Sequence, residues 1–268
     1  MREYYWTYKD YFIFEPYFND SIDNYINIIA NYQKLMFSNH NYFEINIRVI
    51  DENINGHING IIDDYRDKCE TYLVNSRFNQ LLPNSLVQLA NLTYLSLGNH
   101  FSQPLFKALY DLTNLTDLIF GFSFNVQLGD SLYKLINLKY LAFGSRFNQE
   151  LNETLYHLTK LEHLTLGYKF NQELNLPPNI KILTLNHNNQ NQIDNLPNSI
   201  EQLNFSWHFN LSLNNLPNSI KKISFHKHSE YNKKLNNLPK SLELLELPIE
   251  YHFPIQNIPD NCKISYSK

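Results

Sequence analysis

The 268-residue sequence predicts an α/β solenoid, a stack of short parallel strands that lie in register. Three observations predict this fold. Glycines recur every 23 residues, an apolar run precedes each of them, and a phenylalanine follows each by three residues. The glycines are Gly98, Gly121, Gly144 and Gly167. A fixed period of this length is typical of repeat proteins, because one unit buries its apolar face only against its neighbours.

The apolar run of each unit has the alternation of a strand. In residues 92–97, Leu95 and Leu97 point to one side, and Tyr94 and Ser96 point to the other. We therefore expect a right-handed stack of about ten short parallel strands over residues 69–268. The strands are predicted to end at Val74, Leu97, Phe120, Phe143, Leu166, Leu185, Phe205, Phe225, Leu247 and Tyr266.

The return segments of the early and late units differ. Residues 85–92, 108–112, 131–135 and 154–158 carry apolar residues at three- and four-residue steps, which predicts short helices on the convex side. The later units are shorter and replace this segment with a proline after an apolar residue, which predicts extended or 3₁₀ structure. These pairs are Leu176-Pro177, Leu196-Pro197, Leu216-Pro217, Leu238-Pro239 and Ile258-Pro259.

The residues after each strand have structural roles. The glycine allows a tight bend or a close backbone approach. The phenylalanine, for example Phe147, is predicted to form a second ladder inside the stack. The asparagine that often follows, for example Asn148, is predicted to hydrogen-bond the backbone of a neighbouring unit.

Two kinds of run recur in this sequence: Phe-Asn-Gln-Glu-Leu at residues 147–151 and 170–174, and Leu-Pro-Asn-Ser-Ile beginning at Leu196 and at Leu216. They resemble the FNIP repeats of the leucine-rich repeat superfamily, which are known from social amoebae and giant viruses. The resemblance covers residues 69–268. It implies a leucine-rich-repeat-like fold and a non-enzymatic protein–protein interaction module. The residues that carry it are Phe147-Asn148-Gln149-Glu150-Leu151, Phe170-Asn171-Gln172-Glu173-Leu174, the run from Leu196 to Leu203 and the run from Leu216 to Ile223.

Residues 1–68 do not follow the repeat, and we interpret them as an aromatic-rich N-terminal cap. Ser21 to Met36 is expected to be an amphipathic helix and Tyr42 to Ile50 a strand. The alternative is a docking domain. FNIP proteins often carry an N-terminal F-box, which implies a substrate receptor that binds a ubiquitin-ligase adaptor. The Leu-Pro start of an F-box is missing before the helix here.

Composition excludes several partners and predicts a location. The chain has 22 Lys and Arg against 26 Asp and Glu, without a dense basic region, so nucleic acid is not an expected partner. The sequence has no stretch of about 18 apolar residues, so no membrane span is expected. Cys69 and Cys262 fall at opposite ends of the predicted stack. Two free thiols predict a reducing, cytoplasmic location, which for a viral protein is the host cytoplasm.

The sequence predicts no enzyme, cofactor or metal site. It lacks a glycine-rich phosphate loop, the elbow of a serine hydrolase and a cysteine pair at metal spacing. The best metal candidate is His226 with His228, joined by His187 and His208 from the preceding units. No thiolate or carboxylate at fixed spacing completes this set, so exposed loop histidines are the preferred interpretation.

The surface most suited to binding is the side of the strands that faces away from the core, formed by the first and third residues of each strand. We call it the strand face, which is concave in a solenoid and is the usual binding surface there. Its third-residue positions are mostly small, so we expect the aromatic residues of the first positions to be prominent and solvent-facing. The predicted protein-binding residues are Tyr94, Asp117, Tyr140, His163, Gln202 and Lys222, with Trp207-His208-Phe209 as a second anchor on the loop side.

Overall fold

A computed structural model describes residues 5–15, 17–37, 76–186 and 189–266. These residues contain one twelve-stranded sheet in which the strands are ordered as they occur in the chain. The strands are β1 (Tyr5–Tyr8), β2 (Tyr11–Phe14), β3 (Lys34–Phe37), β4 (Tyr94–Leu97), β5 (Asp117–Phe120), β6 (Tyr140–Ala142), β7 (His163–Leu166), β8 (Ile182–Leu185), β9 (Gln202–Phe205), β10 (Lys222–Phe225), β11 (Leu244–Leu247) and β12 (Lys263–Tyr266).

The parallel solenoid is confirmed, and its register follows the repeat. Every pairing from β2 to β12 is parallel, and Tyr94, Asp117 and Tyr140 pair in sequence across β4, β5 and β6. Each strand from β4 to β12 ends at the predicted residue, except that β6 ends at Ala142, one residue early. The predicted strand end at Val74 and the predicted boundary between residues 68 and 69 lie outside the described residues.

The beginning of the sheet differs from the sequence prediction. The strand ending at Val74 was expected beside β4, but β3 occupies that position and pairs Leu35 with Leu95. The stacking of Phe78 on Phe37 shows which phenylalanine belongs to the same rung as β3. Phe78 stacks on Phe37 at a centroid distance of 3.9 Å, as Phe147 stacks on Phe143 at 3.9 Å within a regular unit. Phe78 therefore follows β3 in space, although residues 38–75 separate them in sequence.

The N-terminal region forms a hairpin and a strand rather than one long helix. β1 and β2 pair antiparallel, the single antiparallel pairing of the described sheet. The predicted helix from Ser21 to Met36 is wrong in length. A 3₁₀ turn (Ile22–Tyr25), which Ser21 caps through the amide of Asp23, leads into α1 (Ile26–Ile29), and the chain then enters β3. The predicted strand from Tyr42 to Ile50 lies outside the described residues.

The return segments contain few helices. Residues 84–89 form a 3₁₀ helix (Asn84–Leu89), and α2 (Asn152–His157) covers the predicted 154–158 segment. Segments 108–112 and 131–135 form turns, not helices. In the later units the proline carbonyl accepts a bond from the amide three residues on, such as Pro197 from Ile200 at 3.2 Å, which confirms the 3₁₀-like prediction. The exception is α3 (Gln190–Asp194), which was not predicted.

The core is a set of ladders that run along the stack. Leucines and isoleucines from each rung meet the next rung, and nearly all are fully buried. The predicted phenylalanine ladder is confirmed, with centroids between 5.9 and 6.2 Å apart. It contains Phe78, Phe101, Phe124, Phe147 and Phe170. Asn189 stands at the next ladder position, and aromatic stacking resumes from Phe209 through Tyr231 to Tyr251.

The glycine column exists because the backbones of adjacent turns touch. A Cβ at Gly144 would fall well inside van der Waals contact with the Gly121 carbonyl, and one at Gly167 would meet Gly144 in the same way. Close approach is therefore the reason for glycine here. The asparagine bonds are also confirmed. The Asn125 Oδ1 accepts from the Asn148 amide at 2.8 Å, and the Asn148 Oδ1 accepts from the Asn171 amide at 2.8 Å.

In the described part of the chain, no helix has the length and apolar character needed to cross a bilayer.

The thiol of Cys262 is free and half-buried, and burial raises its pKa. Cys69 lies outside the described residues.

Candidate binding surface on the strand face

The predicted binding residues form one continuous column. Strand register places Tyr94, Asp117, Tyr140 and His163 side by side. The column continues through Ile182 to Gln202 and Lys222. Parallel in-register pairing aligns them because the first residue of each strand points to the same side of the sheet. The full column contains Tyr11, Lys34, Tyr94, Asp117, Tyr140, His163, Ile182, Gln202, Lys222, Leu244 and Lys263.

The N-terminal part of the strand face is a second, small apolar cluster. Tyr94 packs there with Tyr11, Ile13, Ile119 and Ala142, and only 4% of its surface is exposed. The prediction that Tyr94 is solvent-facing is therefore wrong. The Tyr11 ring meets the Tyr94 ring edge-on at 5.7 Å, and the burial raises the pKa of the Tyr94 hydroxyl. Tyr94 thus stabilises the packing of this cluster and is not available as a contact residue.

Sequence reasoning missed Tyr11 and Lys34 as members of the column. Lys34 forms an ion pair with Asp10 at 3.0 Å, and its Nζ lies 4.6 Å from the centroid of the Tyr11 ring. A signal for β2 is present in the run from Tyr11 to Phe14, which consists of four strongly strand-forming residues. The run lies outside the 23-residue period, so the repeat did not reveal it.

The middle of the column combines a carboxyl, a phenol and an imidazole that are partly buried. Burial raises the pKa of Asp117, although its Oδ2 accepts from the Thr116 hydroxyl at 2.6 Å. Burial also raises the pKa of Tyr140 to about 12 and lowers that of His163 to about 4. The Tyr140 and His163 rings meet edge-on at 4.5 Å. At neutral pH this part therefore presents a neutral imidazole and a neutral phenol.

Hydrogen bonds link the third-residue positions to this middle part. The Tyr140 hydroxyl lies 3.5 Å from Thr165 Oγ1, and His163 Nε2 lies 3.4 Å from Thr184 Oγ1. The threonine hydroxyls thus hold the two rings on the surface of the sheet. The third-residue positions therefore form a polar layer beneath the side chains of the first-residue positions.

The C-terminal part of the strand face is polar. The Asn204 amide donates to Thr184 Oγ1 at 3.2 Å, and the Gln202 amide donates to Asn204 Oδ1 at 2.9 Å. Lys222 forms an ion pair with Glu246 at 3.0 Å. The strand face therefore changes along the stack from aromatic and neutral to amide-rich and charged. Gln202, Asn204, Lys222 and Glu246 are half-buried, and Thr184 is buried beneath them.

The loop-side candidates separate into different environments. Phe209 is fully buried in the phenylalanine ladder and cannot be a surface anchor. Trp207 is half-buried between His208 and His226, with ring centroids 5.7 and 6.1 Å away. Among the described residues, no three His, Cys, Asp or Glu side chains converge as a metal site would require. His187, part of the metal candidate, lies outside them.

The comparisons agree with this architecture. A family model for the FNIP repeat matches residues 170–208 and 187–228. The crystal structure of CroV588, described as a novel circular LRR protein, matches 98% of this chain with a TM-score of 0.55 and 24% identity. This chain spans 41% of that protein's length.

An internalin, inlF, from Listeria monocytogenes matches 68% of this chain and is itself 51% covered, with a TM-score of 0.43 and 21% identity. None of the curated proteins compared matches the sequence. The FNIP match falls on the units with shorter spacing, and the CroV588 likeness extends over the whole stack. Residues 170–228 therefore match the FNIP repeat, and the chain has the solenoid fold of a leucine-rich repeat protein.

Proposed function

We propose that this protein is a non-enzymatic interaction module that binds a protein partner through the strand face. Repeat folds of the leucine-rich type typically serve protein–protein interaction. The observation that carries the proposal is the register that aligns Asp117, Tyr140, His163, Gln202 and Lys222 on one face outside the main core. A surface of half-buried side chains held by hydrogen bonds loses little entropy on binding.

The gradient along the strand face defines the partner's chemistry. Tyr140 and His163 offer rings that are neutral at neutral pH and suit an apolar or aromatic contact. Gln202 offers an amide, and the Lys222–Glu246 pair offers one group of each sign. We expect a protein segment that places an apolar side chain near β6 and β7 and polar groups near β9 to β11.

The experiment compares a strand-face variant with a matched control. The partner is first isolated by affinity capture from cells of the source organism and is then purified. The double variant Gln202→Ala with Lys222→Ala removes two half-buried contacts, and we expect its Kd for the partner to rise about tenfold. The control is Gln127→Ala with Lys169→Ala, which removes the same residue types from exposed loop positions. We expect its Kd to match the wild type.

The design avoids Tyr94 because truncation of its buried ring would destabilise the fold. Circular dichroism and urea unfolding must show that both double variants remain folded. A folded strand-face variant that binds the purified partner as tightly as the control would exclude this surface.

The alternative, a substrate receptor of a ubiquitin ligase, rests on the family resemblance. Residues 5–37 contribute β1, β2 and β3 to the sheet, and Phe12 and Phe14 are fully buried there. A docking role for this region would have to use surfaces that the sheet leaves outside. Capture of a purified ligase adaptor by the full chain tests the alternative, and absence of binding at micromolar concentrations would exclude it.

A further inference from the structure

A column of tyrosines lies on the return side of the early rungs, away from the strand face. Tyr110, Tyr133 and Tyr156 follow one another at the 23-residue period. The first of them receives two partners from the following rung. Its hydroxyl donates to Asp130 Oδ2 at 2.5 Å, and the Nζ of Lys134 lies 4.9 Å from its ring centroid. Tyr110 therefore combines a carboxylate contact with a cation–π contact.

The second tyrosine repeats this arrangement one rung later. The Tyr133 hydroxyl donates to Glu153 Oε2 at 3.4 Å, and the His157 ring stacks on the Tyr133 ring at 3.9 Å. Glu153 and His157 occupy the positions that Asp130 and Lys134 have in the preceding rung. Tyr110 and Tyr133 thus each contact a carboxylate and a basic group from the next unit.

The third tyrosine, Tyr156, does not receive an acidic and a basic side chain from the next unit. The unit after Tyr156 is the first of the short type, and residues 175–178 bring Leu176, Pro177 and Pro178 instead of an acid and a base. The Tyr156 side chain is 79% exposed, and within the described part of the chain its one aromatic contact is with the His157 ring, which lies perpendicular to it at a centroid distance of 5.6 Å. The change from long to short units leaves the end of the tyrosine column uncovered.

A notch of about 700 Å³ exists at this point. Its described lining contains one carboxylate, that of Glu153, and no lysine or arginine. The lining residues are Tyr133, Glu153, Tyr156, His157, Asn175, Leu176, Pro177 and Pro178. The carboxylates of this region act on Tyr133. Burial raises the pKa of Tyr133, and the charges of Glu153 and Asp130 raise it further. An exposed aromatic ring beside a carboxylate attracts a cation.

We propose that this notch binds a lysine or arginine side chain from an extended segment of a partner protein, in the way that Lys134 lies on Tyr110. The Tyr156 ring and the Glu153 carboxylate would contact the charged group. Leu176, Pro177 and Pro178 would pack against the methylene groups of its stem. This site lies on the opposite side of the rungs from the strand face and does not depend on that surface.

The probe is the peptide Pro-Arg-Pro-Arg-Pro-amide with fluorescein attached to its N-terminus, and its binding to the protein is measured by fluorescence anisotropy. The matched probe replaces both arginines with citrulline, which keeps the shape and removes the charge. We expect the arginine peptide to bind at least about fivefold more tightly, and its affinity to fall with added salt.

Protein variants locate the contact. Tyr156→Ala and Glu153→Gln are each expected to weaken binding of the arginine peptide about fivefold. Both side chains are exposed, so the fold should persist. The controls are Tyr168→Ala and Glu150→Gln, which change an exposed tyrosine and an exposed carboxylate outside the notch. We expect the controls to bind as the wild type does.

Equal affinity for the arginine and citrulline peptides would overturn the proposal without reference to any variant. Wild-type affinity in folded Tyr156→Ala would overturn it as well. The strand-face variant Gln202→Ala with Lys222→Ala should bind the arginine peptide normally. Failure of the proposed strand-face function and failure of this site are therefore separate results.

Discussion

His163 shows how burial changes the chemistry of a single residue on the strand face. Its ring lies against Tyr140 and near the Thr184 hydroxyl, and burial lowers its pKa to about 4 from a normal value of 6.5. Between these two pH values the unfolded chain binds a proton that the folded protein does not bind. The contribution of His163 to the free energy of unfolding therefore decreases as the pH falls from 6.5 to 4, by about 3 kcal/mol for the full interval.

The variant His163→Gln should remove this part of the pH dependence, because glutamine does not titrate and still reaches a hydroxyl. Urea unfolding at pH 7.5 and pH 5 measures the effect in both proteins. Asp117 contributes with the opposite sign, because its raised pKa makes the folded protein bind a proton more readily as the pH falls. Asp117 is present in both proteins, so the difference between them isolates His163. An identical loss of stability in both would contradict the assigned pKa.

Membership of the strand face was predictable from sequence residue by residue, but exposure was not. Asp117, Tyr140 and His163 occupy the predicted column because alternation in a short strand fixes the side to which each residue points. The exposure of Tyr94 depends on Tyr11, a neighbour from a hairpin that does not follow the repeat. Contacts between the periodic and the non-periodic parts of a chain leave no periodic signal.

At the scale of the repeating element, the asparagine ladder joins one turn to the next. Asn148 accepts from the Asn171 amide at 2.8 Å and from the Gln172 side-chain amide at 3.1 Å through the same Oδ1. Asn148→Ala would remove this acceptor and should lower the free energy of unfolding by about 1–2 kcal/mol. Asn148→Asp puts a carboxylate oxygen in place of the amide oxygen, and we expect it to retain most of the stability.

Chemical denaturation of the two variants beside the wild type gives the comparison. Amide exchange at Asn171 provides a local readout, because this N–H loses its partner in the alanine variant and keeps it in the aspartate variant. Equal stability of Asn148→Ala and the wild type would mean that water replaces the side chain without cost, and the ladder would then have no energetic role.

The strand ends of the repeat were predictable to within one residue, whereas the return segments and the elements outside the repeat were not. The strands from β4 to β12 follow directly from the spacing of their apolar ends. The region from Ser21 to Met36 has helical periodicity, yet its last residues join the sheet as β3, where Leu35 and Phe37 enter the core. Tertiary pairing overrode a local pattern there. The turns at 108–112 and 131–135 show the same limit, because one helical turn is marginal without a neighbour to stabilise it.

In the described part of the molecule, each inner strand of the sheet pairs with the strand before it and the strand after it. The stability of such a stack is close to a sum of unit terms and neighbour terms, so the two ends of the sheet decide where opening begins. The two ends of the parallel series, β2 and β12, are unequal. β2 is buried along its whole length and is covered by β1, whereas β12 pairs with β11 alone among the described strands and leaves Tyr266 54% exposed.

This asymmetry predicts a gradient of local stability along the sheet. Strands with two neighbours and a fully buried core, such as β5 to β8, should open only with the protein as a whole. β12 should open first, because its loss exposes few apolar residues and breaks one set of ladder bonds, and β2 should resist opening because Phe12 and Phe14 lie in the core. Native-state hydrogen exchange followed by mass spectrometry should therefore show protection that rises from β12 through β11 to the central strands and stays high at β2 and β3. Faster exchange at β2 than at β12 would contradict the capping role of the N-terminal hairpin, and uniform protection along the sheet would show that the stack opens as one cooperative unit instead of rung by rung.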